Sequence, residues 1–218
     1  MDRDYDYVTE QEYGPEKKRI EMIIARVREL VKPYFSFHHT YVGSTDRGLI
    51  TRDKKNRTGY DFDVNIHVNA KAKQYSPEKI KEILLEAFNK CSSEYGYLGC
   101  RDGKRVFTIE RKPYINSNEI VSCDFAIVND WYEGQQRIIL RDNNQNTYRW
   151  DKQPNTEKHI ETMADWLKQH DHWEEVRKEY IVKKNTNENP FNKSRSLYAS
   201  TINEVYMLYN GSNKKPRR

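Results

Sequence analysis

The chain has 218 residues, a formal charge of +5, 33% charged and 36% hydrophobic side chains, and 16 tyrosines. That length can bury a sizeable core, as one domain or as a catalytic domain with a smaller helical companion, and recurring apolar runs exclude wholesale disorder. No run approaches the roughly 20 apolar residues of a membrane-spanning helix and the polar start lacks a signal-peptide core, so a cytoplasmic protein without membrane contact is expected.

Cys91, Cys100 and Cys123 are odd in number and lack the close spacing of a zinc site, so reduced thiols with no assigned role are expected. The modest positive excess is weak support for an anionic partner and is met by a nucleotide alone. Four of the charges sit in Lys214-Lys215-Pro216-Arg217-Arg218, which reads as a solvated end, with a nucleic-acid contact as the other reading.

Apolar Ile20, Ile23, Ile24, Val27, Leu30 and Val31 recur at three- and four-residue spacings and predict an amphipathic helix over 15–32, ending before Pro33. Residues 36–42 are aromatic and β-branched, a short strand closed by Gly43-Ser44 where the backbone must turn sharply. Residues 45–59 are polar and mixed in charge, a loop or short helical turn, and the strand Tyr60 to Val68 follows. A helix over 76–89 has Ser76 as N-cap, Glu78 in its first turn and Ile80, Ile83, Leu84, Ala87 and Phe88 as its apolar stripe.

Strand character returns over 105–111, 120–128 and 137–140, with turn signals at Asp102-Gly103, 116–118 and Glu133-Gly134. After Pro154 the pattern turns helical, over 156–170, 173–182 and 196–209, with a breaker-rich 185–192 before the last. The expected fold class is α+β: a mixed sheet with flanking helices over residues 1–153, a small helical part over 154–210 and a basic tail over 211–218.

Side chains alternate faces along a strand, so Asp61 and Asp63 point one way while Phe62, Val64 and Ile66 point the other. Two carboxylates held side by side repel, and a hard divalent cation, Mg2+ or in its place Mn2+, is the natural oxygen-liganded bridge. Asp124 sits inside the apolar run Ile120 to Val128, where an unpartnered charge is costly to bury. With that strand beside 60–68, Asp124 joins the pair around two metal ions, as ligand and proton acceptor in an in-line phosphoryl displacement. Gly43 lets backbone approach a phosphate closely, and the Ser44 hydroxyl with the amides after it can hydrogen-bond its oxygens.

Arg47 reads equally as a phosphate contact or a solvated loop charge. His38 and His39 face opposite ways on an alternating strand, which speaks against a catalytic or metal role for either. Trp150, Trp166 and Trp173 read as core or interface anchors.

The order of these parts, Gly-Ser, a polar loop, Asp-x-Asp on a strand and a third Asp on a neighbouring strand, resembles the DNA polymerase beta-like nucleotidyltransferase superfamily. Gly43-Ser44-Thr45-Asp46-Arg47-Gly48 matches its first motif, and Gly59 to Ile66 looks most like the branch containing oligoadenylate synthetases and bacterial cyclic oligonucleotide synthases. The likeness covers about residues 20–130, and suggestively the helices to Tyr209. It implies Mg2+-dependent transfer of a nucleoside monophosphate from a nucleoside triphosphate to a hydroxyl, with release of pyrophosphate, through Asp61, Asp63 and Asp124.

In related enzymes a lysine on a late helix reaches the triphosphate and a tyrosine or serine near a following helix start lines the nucleotide pocket. Lys168, Ser196 and Tyr198 are the matching candidates; for Tyr198, helix packing beside Leu197 is the ordinary reading. The stretch after Val128 is short for the larger helical half of that branch, which counts against cyclic-nucleotide synthesis. The expected acceptor is another nucleotide or an RNA end. A small-molecule, antibiotic-type transferase is the alternative within enzymes, and a nucleotide-binding module without turnover the alternative outside them.

Overall fold

The computed structural model describes residues 3–112, 119–132, 134–142, 147–153, 158–189 and 192–211, and the chain divides into two units. The sheet unit takes residues 8–52 and 57–153; the helical unit takes the helices after residue 158 together with residues 3–7 and 53–56. The closing basic run, the turn signals at 116–118 and Glu133, and residues 156–157 of the expected helix lie outside the described residues.

A short strand, β1 (Tyr5–Tyr7), precedes α1 (Glu10–Val31). Glu12 sets the start of α1: its carboxylate accepts from the Thr9 backbone N–H and hydroxyl, each at 2.9 Å, and pairs with Arg52. The helix therefore begins ahead of Pro15, where apolar spacing alone starts it, because capping chemistry rather than periodicity marks a helix end. Pro15 sits on an exposed turn, where solvent can replace the bond its missing N–H cannot make.

β2 (Phe37–Val42) runs into α2 (Gly43–Arg47), and β3 (Thr51–Asp53) is a strand the polar loop does not announce. β4 (Tyr60–Val68) follows, then α3 (Pro77–Ser92), whose Ser76 hydroxyl accepts from the Lys79 N–H at 3.3 Å. The rest of the unit is β5 (Arg101–Asp102), β6 (Phe107–Arg111), β7 (Val121–Tyr132), β8 (Gly134–Asp142) and β9 (Thr147–Lys152). Strands β2 and β4 to β9 form one mixed sheet ordered β2-β4-β7-β6-β5, with β8 paired to the far half of β7 and β9 paired to β8, while β3 lies outside it.

Among the described pairings of this sheet, β4 and β7 alone run parallel, from Tyr60 opposite Val121 to His67 opposite Val128. A parallel pair needs a long crossover, and α3 lies within it. Gly59 fixes where the pair begins: a Cβ there would lie 1.7 Å from the Ile120 carbonyl oxygen, so only glycine lets the two backbones meet.

One sheet face is covered by α1 and α3. Ile20, Ile23, Ile24 and Val27 of α1 and Ile80, Leu84 and Phe88 of α3 bury against Phe62, Val64, Ile66, Cys123 and Phe125. Phe88, Phe107 and Phe125 pack with ring centroids 4.4 to 5.1 Å apart. The polar residues of β4 are thereby left to the opposite face.

β9 was not expected, although Tyr148 and Trp150 alternate with the charged Arg149 and Asp151; pairing with β8 makes it a strand, and the two aromatic side chains pack on the core. Its Tyr148 N–H donates to Glu78 at 2.8 Å, and the buried Lys81 ammonium lies 4.3 Å from the Tyr148 ring.

The helical unit contains α4 (Lys158–Gln169), α5 (Trp173–Thr186) and α6 (Ser194–Gly211). Met163, Leu167, Val176, Tyr180, Tyr198 and Ile202 form its interior. Asn185 holds β1 by accepting from the Tyr5 N–H at 2.6 Å and donating to its carbonyl at 3.1 Å, and the Tyr7 hydroxyl donates to the Arg177 carbonyl at 2.7 Å. Asp53 is buried, which raises its pKa, yet hydrogen bonds from Asn56, Asp4 and Lys55 hold it below the usual carboxylate value. No helix among the described residues is long and apolar enough to cross a membrane.

Candidate active site

Strand parity puts Asp61 and Asp63 on the sheet face away from the helices, Asp61 exposed and Asp63 half-buried, while Phe62 between them is fully buried. β7 lies beside β4 in the register that sets Asp124 directly opposite Asp63, with Ser122 opposite Asp61. Neighbouring strands are about 4.8 Å apart, so Asp63 and Asp124 are held as adjacent carboxylates by backbone pairing. Asp124 is flanked on its other side by Thr108 of β6, whose hydroxyl donates to Asp124 Oδ1 at 2.5 Å.

The crowding appears in the acidities. Burial, then Asp61 and Asp124, push Asp63 up to about 6, against the opposing charges of Arg137 and Arg47. Burial also raises Asp124, against the Thr108 hydrogen bond, with Asp61 raising it further.

Gly43-Ser44 meets this row at Asp63. Val42 is the register partner of Asp63, so the chain turns into α2 beside it. Gly43 has φ +67°, which favours glycine, and a Cβ there would lie 2.5 Å from Asp63 Oδ2, so any larger residue would displace the Asp63 carboxylate. Gly48 ends α2 with φ +66°, its N–H directed at the Ser44 and Thr45 carbonyls.

The described residues thus bring Asp61, Asp63, Asp124, Gly43, Ser44 and Arg47 together within the sheet unit. Lys168, Ser196 and Tyr198 belong to the helical unit. Lys168 is exposed with its ammonium 4.7 Å from the Trp173 ring, Ser196 is exposed, and Tyr198 is buried in the helix interior. Their assignment to the nucleotide rests on the family resemblance alone.

His39 turns to the helix side, with Arg28 on Nδ1 at 2.6 Å and Glu21 on Nε2 at 3.1 Å, while His38 stacks on His67 with ring centroids 4.4 Å apart. The two histidines do part, as alternation requires. Trp150 packs on the sheet core, and Trp166 stacks on His170 at 4.0 Å. Cys123 is fully buried and its thiol is pushed well above the usual range by that burial.

Sequence reasoning passed over Thr108, Asn65 and Arg137. Asn65 lies two residues past Asp63 on the same strand face, buried, with Oδ1 unpartnered, and Thr45 Oγ1 beside Ser44 is likewise buried without a partner. Arg137 acts on Asp63 from β8, opposite Val128. Only strand pairing joins these residues to the acids. A polar residue two steps along an acidic strand was the one signal available, for Asn65.

Three carboxylates with hydroxyl and amide oxygens around them are the donor set of a hard divalent cation. Mutual repulsion at Asp63 and orphaned polar oxygens at Thr45 and Asn65 fit a bound cation with its polar ligands. Among the described residues no three acidic, histidine or cysteine side chains converge on one point, so an ion shared by all three requires them to turn toward one another.

No protein-family model matches the sequence, and no curated protein matches it. Solved structures do. Vibrio cholerae DncV cyclic AMP-GMP synthase with non-hydrolysable GTP superposes with a TM-score of 0.65 at 12% identity, over 91% of this chain and 68% of that one. The same synthase, a prokaryotic cGAS homolog, gives 0.63 at 12% identity, and its complex with the linear intermediate 5' pppA(3',5')pG gives 0.62 at 13%, each over 91% of this chain and 68% of that one. The chain shares the fold of that synthase. This is the α+β architecture that Gly43-Ser44 and Asp61-Phe62-Asp63 imply by resemblance.

Proposed function

We propose that the protein is a nucleotidyltransferase that moves a nucleoside monophosphate from a nucleoside triphosphate to a hydroxyl of a second nucleotide. The observation that carries this reading is the register of β4 and β7, which sets Asp124 opposite Asp63 with Asp61 on the same face and the Gly43 backbone against Asp63. A nucleotide acceptor is favoured over an antibiotic-like one by the likeness to a synthase whose complexes include a linear dinucleotide intermediate.

In the reaction, the acceptor oxygen bonds to the α-phosphorus, the bond to the bridging β-phosphate oxygen breaks, and pyrophosphate leaves. Asp124, whose pKa burial raises from its usual value, takes the proton of the attacking hydroxyl. The Ser44 hydroxyl and neighbouring amides hold phosphate oxygens, and Arg47 adds positive charge beside them. Asp61, Asp63 and Asp124 would hold Mg2+ or Mn2+, which neutralises the triphosphate and the departing pyrophosphate when bound.

Labelled nucleoside triphosphates, singly and in pairs, are incubated with the protein and Mg2+ beside an Asp61→Ala, Asp63→Ala control, with RNA and small acceptors in parallel. Pyrophosphate release with a labelled dinucleotide product, lost in the control, supports the proposal. Product that survives the double substitution overturns the acid assignment. Triphosphate binding without pyrophosphate release under any acceptor overturns transfer in favour of a binding module.

A further inference from the structure

Asp124 has two register neighbours, and they treat it oppositely. Asp63 on β4 repels it. Thr108 on β6 donates a hydrogen bond to Oδ1 at 2.5 Å, and Oδ2 is left outside that bond. Thr108 is itself buried, between fully buried Phe107 and Ile109. A valine has the same shape and packs equally well at such a strand position, so the hydroxyl is not there for the core. Being β-branched, Thr108 is also stiff about χ1, which makes its oxygen a fixed point rather than a mobile donor.

The other charges that act on Asp124 are Asp61, Arg101 and Glu110. Arg101 and Glu110 are paired with each other, so neither replaces the direct contact. A carboxylate tied at one oxygen by a charge-assisted bond keeps its plane and presents the other oxygen in one direction. This is how groups behind a ligand tune a metal site, and their loss typically costs about 10- to 100-fold in affinity or rate.

We infer that Thr108 is a positioning residue for the transfer: its hydroxyl fixes Asp124 through Oδ1 and reserves Oδ2 for the cation and for the proton of the attacking hydroxyl. The inference rests on the nucleotidyltransferase reading. β6, which holds none of the acids, thereby takes part in the chemistry through one hydroxyl.

Thr108→Val and Thr108→Ser separate the hydroxyl from the packing. Mn2+ is titrated into each protein with a non-hydrolysable triphosphate, and turnover is measured separately under Mg2+. Thr108→Val is expected to weaken Mn2+ binding and lower kcat by about 10- to 100-fold, with KM for the triphosphate moving less than about 2-fold. Thr108→Ser restores most of both, while thermal unfolding of the two variants stays close together.

Wild-type Mn2+ affinity and kcat in Thr108→Val overturn the inference, and so does a Thr108→Ser as impaired as the valine variant. Wild type that binds Mn2+ with the analogue but turns over no triphosphate sinks the transfer reading alone, since the binding arm still reports on Thr108. Wild type that binds no Mn2+ sinks both.

Discussion

In the sheet unit, apolar and chemical side chains are separated by strand parity: Phe62 is fully buried while Asp61, one residue before it, is exposed. The helical unit has a buried apolar interior but also sets apolar side chains on its surface. Val182, Met207 and Leu208 are more than half exposed, and an open groove of about 490 Å³ between α5 and α6 is lined by Val182, Val205, Leu208 and Tyr209 beside Glu175 and Glu204. Tyr198, one of its three candidates for a nucleotide contact, is in the packed interior, as the ordinary reading of it expects. Strand register places a functional group relative to its neighbours, whereas a helix position states only which side faces in.

The contrast makes its largest prediction for turnover. Asp63→Ala is expected to lower kcat by more than about 100-fold with the fold intact by circular dichroism, whereas Lys168→Ala should act mainly on KM. If the lysine variant lost kcat as steeply as the aspartate variant, the chemistry would not reside in the sheet unit alone.

Two glycines with the same left-handed backbone sharpen the comparison next. Gly43→Ala is expected to cost about 2–3 kcal/mol in urea unfolding, because backbone strain adds to the collision with Asp63. Gly48→Ala meets nothing within 4 Å and should cost only the strain, about 1 kcal/mol. Equal losses would show that the Gly43 approach to Asp63 carries no energetic weight.

The raised pKa of Asp63 has two consequences of opposite sign. Its folded value of about 6 lies above the unfolded 3.8, so the folded state binds the extra proton, and without metal the protein gains stability from this group as pH falls from above 6 toward 3.8. Over the same window, protonation competes with cation binding, so Mn2+ affinity should fall. Asp63→Asn should flatten the stability change; a slope unchanged from wild type would remove Asp63 as its source. The smallest effect is expected in the helical unit, where Leu208→Gln should shift stability by less than about 0.5 kcal/mol. A larger loss would mean the exposed leucine is not a free surface.

Much of this fold is legible in local sequence. β4 follows from alternation, α3 from its Ser76 cap and apolar stripe, and the Gly43-Ser44 turn from glycine itself. The start of α1 was misplaced because the Glu12 carboxylate, and not an apolar residue, defines it. β3 was invisible because its pairing partner, and not its own side chains, makes it a strand, while β9 was passed over although Tyr148 and Trp150 alternate with charged residues. In the site, the three acids and Gly43-Ser44 could be chosen from residue type and order, but the pairing of Asp124 with Asp63 and the Thr108 bond come from register, which no single segment encodes.

The parallel pairing of β4 with β7, pinned where Gly59 meets Ile120, also dictates when the site can exist. As the chain is synthesised, Asp61 and Asp63 emerge with β4 long before Asp124, and the whole α3 crossover must be made before the third acid can reach its place. A nascent chain stopped short of Val121 holds two of the acids and no complete set. Because side chains alternate, a slip of one residue in the late pairing would present buried Cys123 to the acids and turn Asp124 into the core. The row of acids is thus completed only by the long-range pairing of its sheet.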